Sequence, residues 1–514
     1  MFRDQQVSGS PLYIYSPSEP NAYYSNSFMA GSAPAGITLE GSNITLQDIE
    51  VVGGTYYGII IYGNNNIVQG SFIHNPWNSG ITMQNSSGNR IQNNTVSNGN
   101  SFGIIAFVST PNKITTNNVI SGNIVDHFSY SGIVVNGYSG TYRTTANEVR
   151  NNTSFSNGDG IYLHYSDGTK VIGNNLYDNT SDESAGEGYG VGIQTGSNSI
   201  VEGNKMYRNR TRGIEIWGGA PTTDHPEYGP STGNQILRNY IYQNTDVGVL
   251  LSSNGFVTNT IIAYNAIYNN GSTGILLSNA GNTGVQILNN TTYNNGGNTL
   301  FYYQAAKPVI KNNLFATGKS VTIYEDSPNG NNGFAGAPLR WNGSVVADNL
   351  ITSKNSSYKV GTADFVNAAG GNFSLKAGSP FINAGQPLSN TTDIQKATIS
   401  GTPDIGAFEF GVIVPSTTPS PMPSVTTAVV NTPTSAPIPS STSVLSPTLT
   451  KVPPCATRKN GDADCNGIIN LIDLEMWSNP YLHAKYDARS DFNADTRVNL
   501  TDLQIWGDNY YARP

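Results

Sequence analysis

The chain has 514 residues, enough for more than one domain, yet only 12 % of them are charged, against roughly 25 % in ordinary globular proteins. Its net charge of −8, with few Lys/Arg clusters, excludes a phosphate-neutralising nucleic-acid surface. No apolar run approaches the roughly 18 residues needed to cross a bilayer.

Taken in chain order, residues 1–30 carry no basic flank followed by an apolar stretch, so no signal peptide is visible. They read as an incomplete capping segment. From residue 31 to residue 410 the sequence repeats. A Gly-Ile/Val pair recurs at Gly36, Gly58, Gly80, Gly103, Gly132, Gly160, Gly192, Gly213, Gly248 and Gly274. Short units, such as the one that opens GIIIYGNNNIVQGSFIHN at Gly58, return to the next such Gly after 22 residues. Each holds two or three short alternating segments broken by Asn and Gly, with no helical period. About 22 residues of short strands suits one turn of a parallel β-helix, whose coils stack at roughly 4.8 Å and bury inward Ile, Val and Leu. Asn tolerates the left-handed conformation at the turns and can hydrogen-bond from coil to coil. The expected fold is mainly β: a right-handed parallel β-helix solenoid, the hand following that of parallel crossovers generally.

These units resemble the right-handed parallel β-helix repeat proteins of the pectate-lyase-like superfamily. The resemblance extends to a closing segment, DFVNAAGGNFSLKAGSPFINAG (364–385) and PDIGAFEF (403–410). It is similar to the terminal segment of many secreted bacterial β-helix proteins, and implies an extracellular or cell-surface location.

Within the repeats, alternation turns the first and third residues after each Gly inward and the second and fourth outward. The fourth-position stripe runs Glu40, Tyr62, Gln84, Phe107, Asn136, His164, Gly196, Trp217, Ser252 and Ser278; the second includes Thr82, Tyr162, Gln194 and Glu215. Tyr62, Gln84, Phe107, Asn136, Gln194 and Trp217 combine rings that cover pyranose faces with amides that read hydroxyls. They are the candidate glycan contacts. The competing reading is that outward aromatics only cover neighbouring coils. Insertions following Asn136 and Gly218, and a third from Ser181 that precedes the same strand, would wall a groove there and add Arg143, Asp224 and His225.

β-Elimination on a uronic acid requires a base beside the carboxylate and a cation for the developing enolate. His164 or Tyr162 with Arg212 would supply these, with Asp159 or Glu215 as acid or metal ligand. Hydrolysis would need two flanking carboxylates, for which Asp159 and Glu215 are the close candidates. The polygalacturonase, RxPxxR and DPHD signatures are absent. Asp126-His127 resembles only the DH pair of many pectate lyases. A non-catalytic glycan-binding or adhesion scaffold is the alternative. A copper-enzyme maturation role is disfavoured because five His and six Met form no soft-metal cluster.

Residues 411–454 are dominated by Pro, Ser and Thr and read as an extended linker. Residues 455–514 form a different module. Asp462, Asp464, Asn466, Ile468 (through its carbonyl), Asn470 and Asp473 take the positions of a calcium loop. Asp491, Asn493, Asp495, Arg497 (through its carbonyl), Asn499 and Asp502 repeat the offsets 29 residues later. Each loop runs into an apolar stretch that reads as a helix. The duplicated loop-helix resembles a type I dockerin, which implies bound Ca2+ and docking to a cohesin-type domain. Thr496 departs from the Gly usual at its position. Cys455 and Cys465 are open to a disulfide or to two free thiols. The expected partners are therefore a polysaccharide, of which uronate-containing ones are the candidates, and a cohesin, with the protein itself a monomer.

Overall fold

The computed structural model describes residues 35–411, apart from 54–55, 181–186, 220–227, 253–255, 318–319, 324–328, 336–338, 342–343, 346–358, 361–362, 364 and 389–391. The expected N-terminal cap (1–30), linker and dockerin-like module lie outside the described residues. So do both calcium loops, Cys455, Cys465, Asp224 and His225.

Among the described residues the repeat folds as a solenoid of three parallel sheets with 14, 12 and 13 strands. One coil gives one strand to each, as in Ser131–Asn136, Glu148–Arg150 and Thr153–Phe155. The first sheet closes with a short antiparallel pair, Leu339–Trp341 with Ser344–Val345. The periodicity ends earlier in the sequence than in space. Three further coils, entered at Leu300, Val321 and Leu339, follow Gly274 and lack its Gly-Ile/Val pair.

Inside, one continuous core runs from Leu39 to Phe334. Ile, Val and Leu dominate it because each inward position must fill the space between three sheets without a polar atom. Polar satisfaction at the turns comes from Asn. Between the second and third sheets, Asn94, Asn123, Asn152, Asn174, Asn204, Asn239, Asn265, Asn290 and Asn313 form an unbroken ladder. Each backbone N–H donates to the next Oδ1 at 2.8–3.0 Å. A second ladder, from Asn157 through Asn179, Asn209, Asn244 and Asn270 to Asn295, sits between the third and first sheets.

Outward on the third sheet, Phe155, Tyr177, Tyr207, Tyr242 and Tyr268 stack face to face, with ring centroids 4.8–5.1 Å apart. The rings thus spend their faces on one another. Farther along, Phe365, Phe373, Phe381, Ile405 and Phe408 of the closing segment pack with Tyr268 and Leu314. That segment is held by carboxylates. Asp404 accepts from the N–H of Asn383 (2.7 Å) and Phe410 (2.6 Å), and Glu409 from that of Asp404 (3.0 Å). Gly406 (φ 114°) approaches so closely that a Cβ would lie 2.8 Å from the Thr291 hydroxyl. Among the described residues no helix is long and apolar enough to cross a membrane.

Candidate functional site

The first sheet brings the fourth-position residues into one row. Register pairs Gln84 with Phe107, Phe107 with Asn136, Asn136 with His164, His164 with Gln194, and Gln194 with Trp217. Tyr62 follows Ile61, the partner of Met83, and so precedes Gln84 in the row. All six predicted glycan contacts therefore align, although one does so by a different register. In its coil the residue equivalent to Gly160 is Gly190, not Gly192, since Val191 pairs with Ile161. Gln194 thereby moves from the second position to the fourth, and Gly196 leaves the stripe.

The second-position row departs further from expectation. Thr38 at its start is exposed, but Ile60, Thr82, Ile105 and Val134 are buried, and the row is next accessible at Tyr162. At Gly192 the row has no side chain of its own. A Cβ there would lie 2.3 Å from the Tyr189 ring. Tyr189, carried by the insertion before the strand Val191–Gln194, fills that space between Tyr162 and Glu215.

Around this gap the candidate chemical groups meet. The Tyr162 hydroxyl donates to Gln194 Oε1, and its ring stacks on His164 at 5.7 Å. Burial pushes the Tyr162 phenol well above its usual range, so it keeps its proton and serves as a donor. Arg212 Nη1 lies 2.5 Å from Glu215 Oε2 and 3.6 Å from Glu187 Oε2. Its Nε is buried with no hydrogen-bond partner among the described residues. Burial raises the Glu215 carboxyl, while Arg212 and a hydrogen bond from Ser252 partly oppose the shift. Trp217 packs edge-on against Tyr228 at 4.9 Å.

Asp159 does not join them. Its side chain is 4 % exposed, and Oδ1 accepts from the N–H of Glu187 and Gly188, both at 2.8 Å. Burial pushes its carboxyl up to about 7, against the effect of these donors. Asp159 therefore anchors the insertion that carries Tyr189 and Glu187. Arg143 is also drawn away from the groove, to Asp167 (2.5 and 2.8 Å) and the Thr195 carbonyl. Sequence reading missed Tyr189, Glu187 and Tyr228, which lie on insertions that the repeat grammar does not index.

Calcium requires six to eight oxygens. Asp159 is committed to backbone N–H groups and Glu215 to Arg212, so these two carboxylates do not make an oxygen cage. Among the described residues no group of three or more His, Cys, Asp or Glu is placed to hold a metal ion.

Residues 14–176, 120–262 and 159–337 match, in overlapping stretches, the family described as "Right handed beta helix region". The chain is 26 % identical over 303 residues to pectate lyase L of Dickeya chrysanthemi, an alignment spanning 55 % of this chain and 67 % of that protein. Among solved structures it is similar to pectate lyase Pel9A, with 18 % identity, 69 % of this chain and 88 % of that one covered, and a TM-score of 0.45. It is also similar to the A-module of the Azotobacter vinelandii mannuronan C-5 epimerase AlgE6, with 17 % identity, 62 % and 90 % covered, and a TM-score of 0.44.

Proposed function

The chain belongs to the right-handed β-helix family, and from that premise we propose that it binds and acts on a uronate-containing polysaccharide along the outer face of its first sheet. The observation that carries this reading is the convergence of Tyr162, His164, Gln194, Arg212 and Trp217 beside three insertions. An acidic polymer brings a carboxylate that competes with Glu215 for Arg212. The raised Glu215 carboxyl eases that exchange, because a proton on Glu215 frees the guanidinium. His164 is the base, imidazole being the side chain that exchanges protons near neutrality. It takes the proton from the carbon beside the carboxylate, the electron pair forms the new C=C bond, and the glycosidic C–O bond breaks. The leaving oxygen takes the phenolic proton of Tyr162. Hydrolysis is the weaker reading, since Asp159 is turned into a backbone cradle and leaves Glu215 without a partner carboxylate.

The test is incubation with pectate and alginate. Unsaturated ends absorbing in the ultraviolet are the expected product, with a rate reduced 10²–10⁴-fold in His164→Ala. Binding without any product would overturn the lyase reading and leave a glycan-binding scaffold. Saccharide inversion without cleavage, followed by NMR, would identify an epimerase.

For residues 455–514 we infer a calcium-dependent dockerin that attaches the protein to a cohesin outside the cell. The duplicated loops ending in Asp473 and Asp502 support that reading.

A further inference from the structure

A second concavity lies beside the groove, on the bend between the first and second sheets. It encloses about 450 Å³ and is lined by Arg143, Asp167, Ser197, Asn198, Tyr228 and Gly229 among others. Four consecutive coils contribute to it, so it extends ~14 Å along the solenoid. The strand residues that enter these bends are Asn136, His164, Gln194 and Trp217, which belong to the fourth-position row. Tyr228 belongs to both places: its ring meets Trp217 at 4.9 Å and also lines the cleft.

We propose that this cleft is a subsite for a neutral sugar branch, so that the preferred substrate is an acidic backbone bearing neutral side chains. The inference rests on the reading of the groove given above. Its chemistry is set by Arg143. Asp167 holds that guanidinium through two hydrogen bonds, and the Thr195 carbonyl takes a third. Asp167 Oδ1 also accepts from the N–H of Ser197 at 2.9 Å. The ion pair is thus locally neutral and offers no free cation to a second carboxylate. What remains at the cleft is adjacent donors and acceptors with one aromatic ring, which suits the hydroxyls and apolar face of an uncharged pyranose. A backbone lying parallel to the solenoid axis would pass Trp217, and a substituent directed toward the bend would fall beside Tyr228.

Gly229 provides the probe. Gly229 lines the cleft and a Cβ added there meets nothing within 4 Å, so Gly229→Trp adds a bulky ring at the cleft wall without displacing a neighbour at its Cβ. Calorimetry on the full chain would compare three ligands: a linear uronan, the same backbone carrying neutral side chains, and the released neutral oligosaccharides. Native protein is expected to bind the branched polymer about tenfold more tightly than the linear one. In Gly229→Trp, checked for an unchanged melting temperature, that ratio falls to about one. Equal affinity of native protein for branched and linear polymers would overturn the subsite, as would a preference that survives Gly229→Trp. If the linear uronan fails to bind while the neutral oligosaccharides bind native protein and not Gly229→Trp, the groove reading fails and the subsite stands.

Discussion

Asp159 shows how one buried carboxylate can be read as chemistry and turn out to hold structure. Its pKa of about 7 lies above the ~4 of an exposed Asp, so the folded state binds the proton more tightly than the unfolded one. Stability from this group is therefore fully present below about pH 4 and is lost as pH rises through 7. Native protein should melt several degrees lower at pH 8 than at pH 5, and Asp159→Asn should reduce that difference, the remainder belonging to Glu409, whose carboxyl burial also pushes up to about 7. Calorimetric melting across this range checks it; an identical pH profile in the variant would remove Asp159 from the account. The sequence placed Asp159 correctly at the head of its strand. It gave no sign that the insertion 181–190 would return its own N–H groups to that carboxylate, because a hydrogen bond between adjacent coils is invisible in chain order.

At the scale of the element, the Asn ladders explain why the repeat tolerates strands of three residues. An isolated three-residue strand has too few bonds to persist, but each coil is bound to two others at every turn. In the middle of the ladder, Asn204 Oδ1 accepts both the N–H and the Nδ2 of Asn174, at 2.8 and 2.9 Å. Asn204→Ala leaves the buried Asn174 N–H unpaired and its Nδ2 with only the Val149 carbonyl, and should cost about 3 kcal/mol. Urea unfolding would measure the loss, and hydrogen exchange should localise it to the Asn174 amide. A change below about 0.5 kcal/mol would mean that water replaces the amide. These ladders were legible in the sequence because Asn recurs with the coil. The register of Gly192 was not. The spelling Gly-Val-Gly-Ile offers two glycines, and only the pairing of Val191 with Ile161 shows that the first is the repeat residue.

At the scale of the whole molecule, the charge is divided. Residues 455–514 carry 15 of the 60 charged side chains, and nine of the 15 are acids. The β-helix needs few charges, because its coils are held by apolar rungs and neutral amides. The C-terminal module needs acids if it binds calcium. With full-length protein, a chelator should abolish capture by an immobilised cohesin and leave melting of the β-helix unchanged. Asp462→Ala combined with Asp491→Ala should act like the chelator. Capture that persists in the chelator would refute the calcium-dependent anchor.

The sequence by itself determined the solenoid, the inward rungs and the row that runs from Tyr62 to Trp217, except at Gln194, which the register of its coil supplies in place of Gly196. Periodic stacking carries these from one coil to the next, so a local pattern specifies them. Only the tertiary structure decided which of the aligned groups face one another. The insertions break the period, and their contacts are made across coils: Asp159 with Gly188, Tyr189 over Gly192, and Arg143 with Asp167 rather than in the groove. Such contacts depend on where a loop returns in space, which no spacing along the chain encodes.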